Sequence, residues 1–302
     1  MAPDGRRGLF VGLSTLDVVQ LVERTPGRNE KVPALDLVVA AGGPAANAAV
    51  VFAALGGRAR LVTRISHDAV GDLVRADLAA CGVEVVNTAR ADEPTTAVAS
   101  ILITRQSGER AVVSAADHGR SSRADLSVAL GRAQGSSAQD RIDVMLMDSY
   151  ETDLSAPLAA AARAAGVPVL LDVGAKKPWT ADQLAQVDCA VVSEDYRPGG
   201  APVIARDLAD DGVRWGVATA GAGPVGWWAG DPARVERTAV PVVACVDTLG
   251  AGDFFHGALA YALAGSGLTP SGLDSGVAFA VQVASASVQS FGPRAWLKNL
   301  RR

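Results

Sequence analysis

Short apolar runs alternate with alanine-rich stretches along almost the whole chain, and this alternation limits the fold more than any other feature. Leu9–Leu13, Arg60–Ile65, Val83–Asn87, Ile142–Met147, Val167–Leu171, Cys189–Val192 and Trp215–Thr219 read as strands. Several are apolar at every position, as strands buried on both faces must be. Between them, Pro44–Leu55, Ala69–Ala80, Ser122–Arg132, Ser155–Ala165 and Ala201–Asp210 read as helices. A strand that returns through a helix joins a parallel neighbour, so the pattern predicts an α/β domain with a mostly parallel sheet and helices on both faces. The 302 residues show no fixed-period repeat and no linker, which favours one large domain over two.

Charge and cysteine usage bound the partners. Lys and Arg total 28 against 32 Asp and Glu, a net charge of −4, so no basic surface awaits nucleic acid or an anionic membrane. Aromatic residues make up only 5%, which leaves Ala, Val and Leu to build the core. Cys81, Cys189 and Cys245 are far apart and form no CxxC pair, which argues against a disulfide scaffold or zinc cluster and for a reducing, cytoplasmic setting. The first apolar run reaches Asp17 too soon for a signal peptide, and no run of about 20 apolar residues suggests a membrane span.

One region breaks the rhythm. Thr95–Thr104 and Arg110–Ser114 are rich in β-branched residues, and Arg105-Gln-Ser-Gly108 between them has turn chemistry, so the pair reads as a hairpin. Residues near Val18–Val39 can supply companion strands. Residues 14–39 and 95–118 are therefore expected to form a small sheet projecting from the main domain as a lid. Its exposed strands need partners, which predicts a homodimer through the lid.

Near the C-terminus, Phe254, Phe255, Ala258, Leu259, Ala262 and Leu263 make an apolar stripe at helical spacing, closed by Gly265-Ser-Gly267. Gly250-Ala251-Gly252-Asp253 is then a glycine turn feeding a helix N-terminus. First-turn N–H groups and the helix dipole favour an anion there, and the glycines let it approach. Amides around Asp253 should keep it ionised, able to take a proton from a hydroxyl that attacks phosphorus. The plainer alternative is that Asp253 only caps its helix.

A second glycine pair, Gly42-Gly43, precedes Pro44 at another helix start, with Asn47 one turn inside an alanine-lined helix. Asp17 follows the first strand, at the edge where open α/β sheets bind ligands. A carboxylate and an amide there suit sugar hydroxyls. Taken singly, each residue also reads as structural.

Together, AGGPAANAA and DTLGAGDFFHGALAYAL resemble the two signature regions of the ribokinase-like (PfkB) carbohydrate kinases, in order and separation, over essentially the whole chain. His67-Asp-Ala-Val-Gly71 resembles a further family segment. The resemblance implies a ribokinase-like three-layer fold, with a nine-stranded α/β core and a small β lid, and ATP- and Mg2+-dependent phosphorylation of a sugar hydroxyl. It implies Asp253 as base and Gly250, Ala251 and Gly252 as the anion hole. It places Asp17, Gly42, Gly43 and Asn47 on the substrate, with Arg110 reaching in from the lid. Asp172 and Lys176 resemble a family segment whose basic residue touches the transferring phosphate. Thr219 and Gly221 resemble the nucleotide turn, and Ala284 and Ser287 the adenine pocket. Asp247 stands where the family lines a monovalent-cation site, which brings in K+.

Departures from the family pattern are specific. Where the family carries NxxE, the chain reads Ser193-Glu-Asp-Tyr196, so Glu194 is the candidate for holding Mg2+ through water. That segment and Val11–Val19 resemble the ketohexokinase branch. Asp148 ends a strand, where it meets a sugar hydroxyl or closes a loop. His256 reads as a packed helix residue able to tune Asp253, His118 as surface, and Trp227-Trp228 as strand packing. No GxGxxG follows the first strand and no GxxxxGK[ST] exists, which excludes a nicotinamide dehydrogenase and a P-loop kinase. The expected substrate is a ketose or another small sugar. Alternatives are a nucleoside (adenosine-type) kinase and a non-catalytic sugar- or nucleotide-binding regulator on the same fold.

Overall fold

A computed structural model describes residues 5–115 and 141–300. The first seven strands are β1 (Arg7–Val11), β2 (Thr15–Val22), β3 (Asp36–Gly42), β4 (Arg58–Thr63), β5 (Glu84–Asn87), β6 (Val98–Thr104) and β7 (Arg110–Ser114). They are followed by β8 (Val144–Met147), β9 (Val169–Val173), β10 (Cys189–Ser193), β11 (Trp215–Ala220), β12 (Gly223–Ala229) and β13 (Glu236–Thr238). The described helices are α1 (Pro44–Ala54), α2 (Ala69–Ala80), α3 (Thr152–Ala164), α4 (Thr180–Leu184), α5 (Ala201–Asp210), α6 (Ala251–Ser266), α7 (Pro270–Ser287) and α8 (Leu297–Leu300).

Nine strands form the main sheet in the order β13-β12-β11-β10-β9-β8-β1-β4-β5. It is parallel from β5 to β11, with β12 and β13 added antiparallel at one edge. Every residue of β8 and β9 is buried, which explains the unbroken apolar character of β8 and of β9 up to Asp172. Strand periodicity then sorts side chains between two cores. Phe10, Leu146 and Leu170 pack with Phe52 of α1, Leu259 of α6 and Val277 of α7. Leu9, Val11, Met147 and Leu171 pack on the other face with Leu158 of α3, Ile204 of α5 and Trp228. This is a layered α/β architecture of the expected kind, with helices on both faces of the sheet, and Trp228 does serve as strand packing.

A second sheet of four strands runs β3-β2-β6-β7. The β6–β7 hairpin turns at Arg105–Gly108, as its sequence suggests, and β2 and β3 are the companions. Val19, Ile101 and Ile103 face inward and meet Leu249 and Phe291 of the main body. The expected helix 122–132, His118 and the last residues of the 95–118 segment lie outside the described residues. Among the described residues, no helix is long and apolar enough to cross a membrane.

Several strand ends differ from the sequence reading because side chains capture the backbone. β1 stops at Val11 rather than Leu13, since the Leu13 N–H donates to Asp148 Oδ2 at 2.9 Å instead of to a neighbouring strand. β4 stops at Thr63 rather than Ile65, whose N–H donates to Asn87 Oδ1 at 2.9 Å. Just beyond β4, buried Arg64 pairs with Glu151 and Asp153 at the start of α3.

Helix α2 has a side-chain cap. Asp68 is its N-cap, and Asp68 Oδ1 accepts the Gly71 N–H at 2.9 Å and the Ser66 hydroxyl at 2.7 Å. Replacing Asp68 with Ala leaves a first-turn donor without its acceptor. Asp68→Ala should cost about 1 kcal/mol. A denaturant midpoint equal to that of the unmodified chain would show that the cap does not matter.

Candidate active site

Helix α6 starts without a side-chain cap. Its N-cap is Gly250, at φ 73°, a left-handed conformation that glycine adopts without strain; a Cβ there would also press on the Phe254 ring. Gly252 differs, because a Cβ added there would meet nothing within 4 Å: the missing side chain opens space. The Ala251 N–H turns back to Thr248 O at 3.3 Å, and the Phe254 N–H donates to Gly250 O at 2.8 Å. Gly252 and Asp253 then supply the first-turn donors that a helix leaves without an intrahelical acceptor. Asp253 does not cap the helix; its Oδ2 accepts the Asn47 side-chain N–H at 2.8 Å.

The charge state of Asp253 differs from the sequence expectation. Burial and the nearby Asp172 carboxylate push its pKa up to about 7, against the Asn47 hydrogen bond, His256 and Arg110. The helix N-terminus alone suggested an ionised carboxylate at neutral pH. That reasoning missed Asp172, which β9 brings alongside. His256 is buried one turn along α6, and its Nδ1 lies 2.9 Å from Asp172 Oδ2. Asp172, Asp253 and His256 offer donor atoms within 4.8 Å of one another. With Asn47 on Asp253 and His256 on Asp172, the group acts as a set of coupled charges.

The N-terminal glycine pair closes the same site. Gly43 is the α1 N-cap at φ 98°, and a Cβ there would collide with the Leu13 carbonyl. Gly42 lies under the Asp17 carboxylate, where a side chain would overlap it. Asp17 is buried, and its Oδ1 accepts the Thr15 hydroxyl at 2.7 Å. Burial raises its pKa, against the Thr15 bond and the Arg294 charge. Arg294 escaped the sequence reading. It donates to Asn47 Oδ1 at 3.3 Å, to Ala41 O at 2.7 Å and to Asp77 Oδ2 at 3.0 Å. The only signal was its place after Gly292-Pro293, past the last long helix.

The lid hairpin reaches the anion turn. Gly108 O accepts the Thr248 hydroxyl at 2.9 Å and the Thr248 N–H at 3.2 Å, and Arg110 donates to Thr248 O at 3.4 Å. Asp247 anchors that turn from beneath. Its carboxylate accepts the Leu249 N–H at 2.8 Å and the Gly292 N–H at 2.9 Å, tying residues 246–249 to the loop after α7. Both oxygens retain lone pairs for a monovalent cation beside the two loops.

Ser193 and Thr219 are register partners at the carboxyl ends of β10 and β11. The Ser193 hydroxyl donates to Gly174 O at 2.8 Å and the Thr219 hydroxyl to Val192 O at 3.4 Å. Exposed Glu194 lies 3.8 Å from the place a Gly221 Cβ would occupy, so an oxygen donor suited to Mg2+ or its water faces this turn. Ala284 and Ser287 lie near the end of α7, where the buried Ser287 hydroxyl donates to Ala284 O at 2.8 Å.

Two further candidate residues differ sharply in exposure. Lys176 is exposed, with Nζ 5.8 Å from the Tyr196 ring centroid. Its neighbour Lys177 is the lysine in the field of the acidic group. Lys177 Nζ sits 3.2 Å from the Tyr150 ring centroid and donates to Ser149 O at 3.3 Å. Burial lowers its pKa, against Asp148 and Asp172. Asp148 closes a loop. It is 1% exposed and accepts three backbone N–H groups: Leu13 at 2.9 Å, Tyr150 at 2.9 Å and Ala45 at 3.2 Å. These bonds take three of the about four lone-pair sites of the carboxylate, which favours the loop-closing alternative over a sugar hydroxyl.

Known proteins are similar to this chain over most of its length. The profile of the pfkB family carbohydrate kinases matches residues 8–196 and 197–299. The ribokinase of Mus musculus is 28% identical over 276 residues, 85% of this chain and 81% of that protein. The structure of Arabidopsis thaliana ribokinase complexed with ribose and ATP superposes with a TM-score of 0.72 at 24% identity, covering 100% of both chains. The adenosine kinase of Sinorhizobium meliloti gives a TM-score of 0.75 at 18% identity, covering 98% of this chain and 99% of that one. These two structural likenesses are of fold.

The clamp at Asp148 is testable by stability. Asp148→Ala leaves three buried N–H groups without their acceptor and should cost about 3 kcal/mol. An unchanged melting temperature, with activity lost, would return Asp148 to the substrate.

Proposed function

The chain belongs to the pfkB family of carbohydrate kinases, phosphotransferases with an alcohol acceptor, and we propose that it transfers the terminal phosphoryl group of ATP to a hydroxyl of a small sugar with Asp253 as the general base. The observation that carries this reading is the half-buried Asp253 carboxylate set in the Gly250–Gly252 turn and held by Asn47 at 2.8 Å. The attacking hydroxyl loses its proton to Asp253 as its oxygen bonds to phosphorus and the bond to ADP breaks. N–H groups of Gly252 and Asp253 donate to the phosphoryl oxygens, where negative charge is concentrated. The Ala251 N–H, engaged by Thr248, shapes the turn instead.

Asp17, Gly42, Gly43 and Asn47 form the proposed sugar side, with Arg110 entering from the lid. Lys176, Ser193, Thr219, Gly221, Ala284 and Ser287 form the proposed nucleotide side. Mg2+ bound with ATP neutralises phosphate charge, and Glu194 is the side chain proposed to hold it through water. Asp247 is the proposed ligand of K+. A ketose or other small sugar is the first expectation for the acceptor, and a cytoplasmic setting is part of the same proposal.

Dimerisation through the lid has support in the outer face of the small sheet. Leu37, Val39 and Val113 are 56%, 48% and 75% exposed and, by register, share one largely apolar face with Val18 and Leu102, interrupted by Gln20 and Ser100. An apolar sheet face of this kind suits a second copy of the chain.

ATP consumption measured over pentoses, hexoses, ketoses, sugar phosphates and nucleosides, with Mg2+ and with or without K+, should identify the acceptor. Asp253→Asn should lower kcat by at least about 100-fold with the fold intact. Near-normal turnover would reject the base assignment, and no turnover with any acceptor would favour a binding protein. Sedimentation at micromolar concentration should show a dimer that Leu37→Glu with Val113→Glu separates; a monomeric parent chain would reject the lid interface.

A further inference from the structure

Behind the proposed base lies a pair of groups that the phosphoryl-transfer reading leaves without a task. His256 is 6% exposed and Asp172 is 8% exposed, one on α6 and the other on β9. Burying an imidazole and a carboxylate at 2.9 Å costs solvation, and two hydrophobic side chains would pack there without that cost. Their position beside Asp253, with donor atoms of all three inside 4.8 Å, gives the pair a use. We propose, resting on the assignment of Asp253 as the base, that His256, charge-paired with Asp172, is a positioning residue whose positive charge keeps the Asp253 carboxylate ready to accept a proton.

Charge arithmetic shows why both members matter. Asp172 alone would repel a second carboxylate and favour the protonated, inactive form of Asp253. An imidazolium beside both carboxylates offsets part of that repulsion. Burial works against a charged His256, but Asp172 and then Asp253 outweigh it and raise its pKa above the ordinary value. Other groups facing the cluster are few. Arg110 comes from β7 and assists ionisation of Asp253. Asp148 and Tyr150 follow β8, and burial pushes the Tyr150 phenol up to about 12, so it stays neutral. Lys177 precedes α4, and α1 brings only the uncharged Asn47. Asp274, the one charged residue of α7, is exposed. His256 is therefore the nearest cationic group to Asp253 on its own helix.

Two readouts test the pair. The first needs no substrate. The full chain has 3 histidines, His67, His118 and His256, so carbon-13 labelling of histidine Cε1 with assignment through His67→Gln and His118→Gln isolates the His256 signal. His256 should titrate above about 6.5, the value of an unperturbed imidazole. In Asp172→Asn the midpoint should fall by at least about one pH unit. A midpoint at the ordinary value, unmoved by Asp172→Asn, overturns the proposal.

A second readout is the pH profile of kcat on the acceptor found by the screen. His256→Asn removes the charge but leaves Asp172, so Asp253 should hold its proton to higher pH and the acid limb should move up by about one unit. The sugar KM should stay within about threefold. Adding Asp172→Asn to His256→Asn removes the repulsion and should return the limb to lower pH. A residue that only packs would lower activity equally at every pH, and that result overturns the proposal. If no acceptor is phosphorylated, the kinase assignment fails, while the titration still reports whether the pair holds its charge.

Discussion

A 2.8 Å hydrogen bond from Asn47 to Asp253 joins two helix starts that lie 206 residues apart in sequence. Its length demands that α1 and α6 cross closely. Gly257 lies against Ala48, where a Cβ would overlap the Ala48 carbonyl, so even one added carbon would force the helices apart. The alanine-rich character of α1 follows from the same constraint: Ala45, Ala46, Ala48 and Ala49 are all fully buried. Large aromatic residues along that seam would fill the core equally well but would move the Asn47 amide out of reach of the carboxylate.

Much of this was legible in the sequence because the signals were local. α2 and α5 span the expected residues, and Asp68 at one start and Gly200-Ala-Pro202 at the other are local punctuation. Strongly apolar runs located β8 and β9 for the same reason. What could not be read was capture across the fold. Asp148 draws the Leu13 N–H out of β1, and Asn87 draws the Ile65 N–H out of β4. Neither partner is near in sequence. That Lys177 lies against Tyr150 and Ser149 likewise depends on the path of the chain after β9, since adjacent residues on a loop can point anywhere. Arg294 had no periodic or motif context, yet it binds both Asn47 and the carbonyl of Ala41 beside the glycine pair.

Asp253 shows the same limit in electrostatic form. Its own helix offers donors and a favourable dipole, and those alone argue for a low pKa. β9 adds a carboxylate and the surrounding core removes water, and these two effects prevail. A general base is most effective when its pKa is near the working pH, because a strongly stabilised carboxylate accepts a proton poorly. Burial and Asp172 therefore improve the fit of Asp253 to its proposed task, whereas an acid held as low as the helix alone implies would be a weaker acceptor. The opposing contributions of Asn47, His256 and Arg110 keep the shift from going so far that the group is always protonated.

The turn that carries Asp253 is not independent of the lid. Gly108, at the tip of the hairpin, accepts two hydrogen bonds from Thr248, and Arg110 donates a third contact to the same residue. Each such bond contributes about 1 kcal/mol net, so a hairpin that swings away must give up a few kcal/mol or carry Thr248 with it. Thr248 also accepts the Ala251 N–H that shapes the helix start. Movement of the lid and the geometry of the first turn of α6 are in this way mechanically linked. Asp247 limits how far that linkage spreads, because its two backbone bonds fasten the other side of the turn to the loop after α7. A rigid anchor on one side and a hydrogen-bonded hairpin on the other allow the turn to respond to the lid while the acid stays on the Asn47 amide.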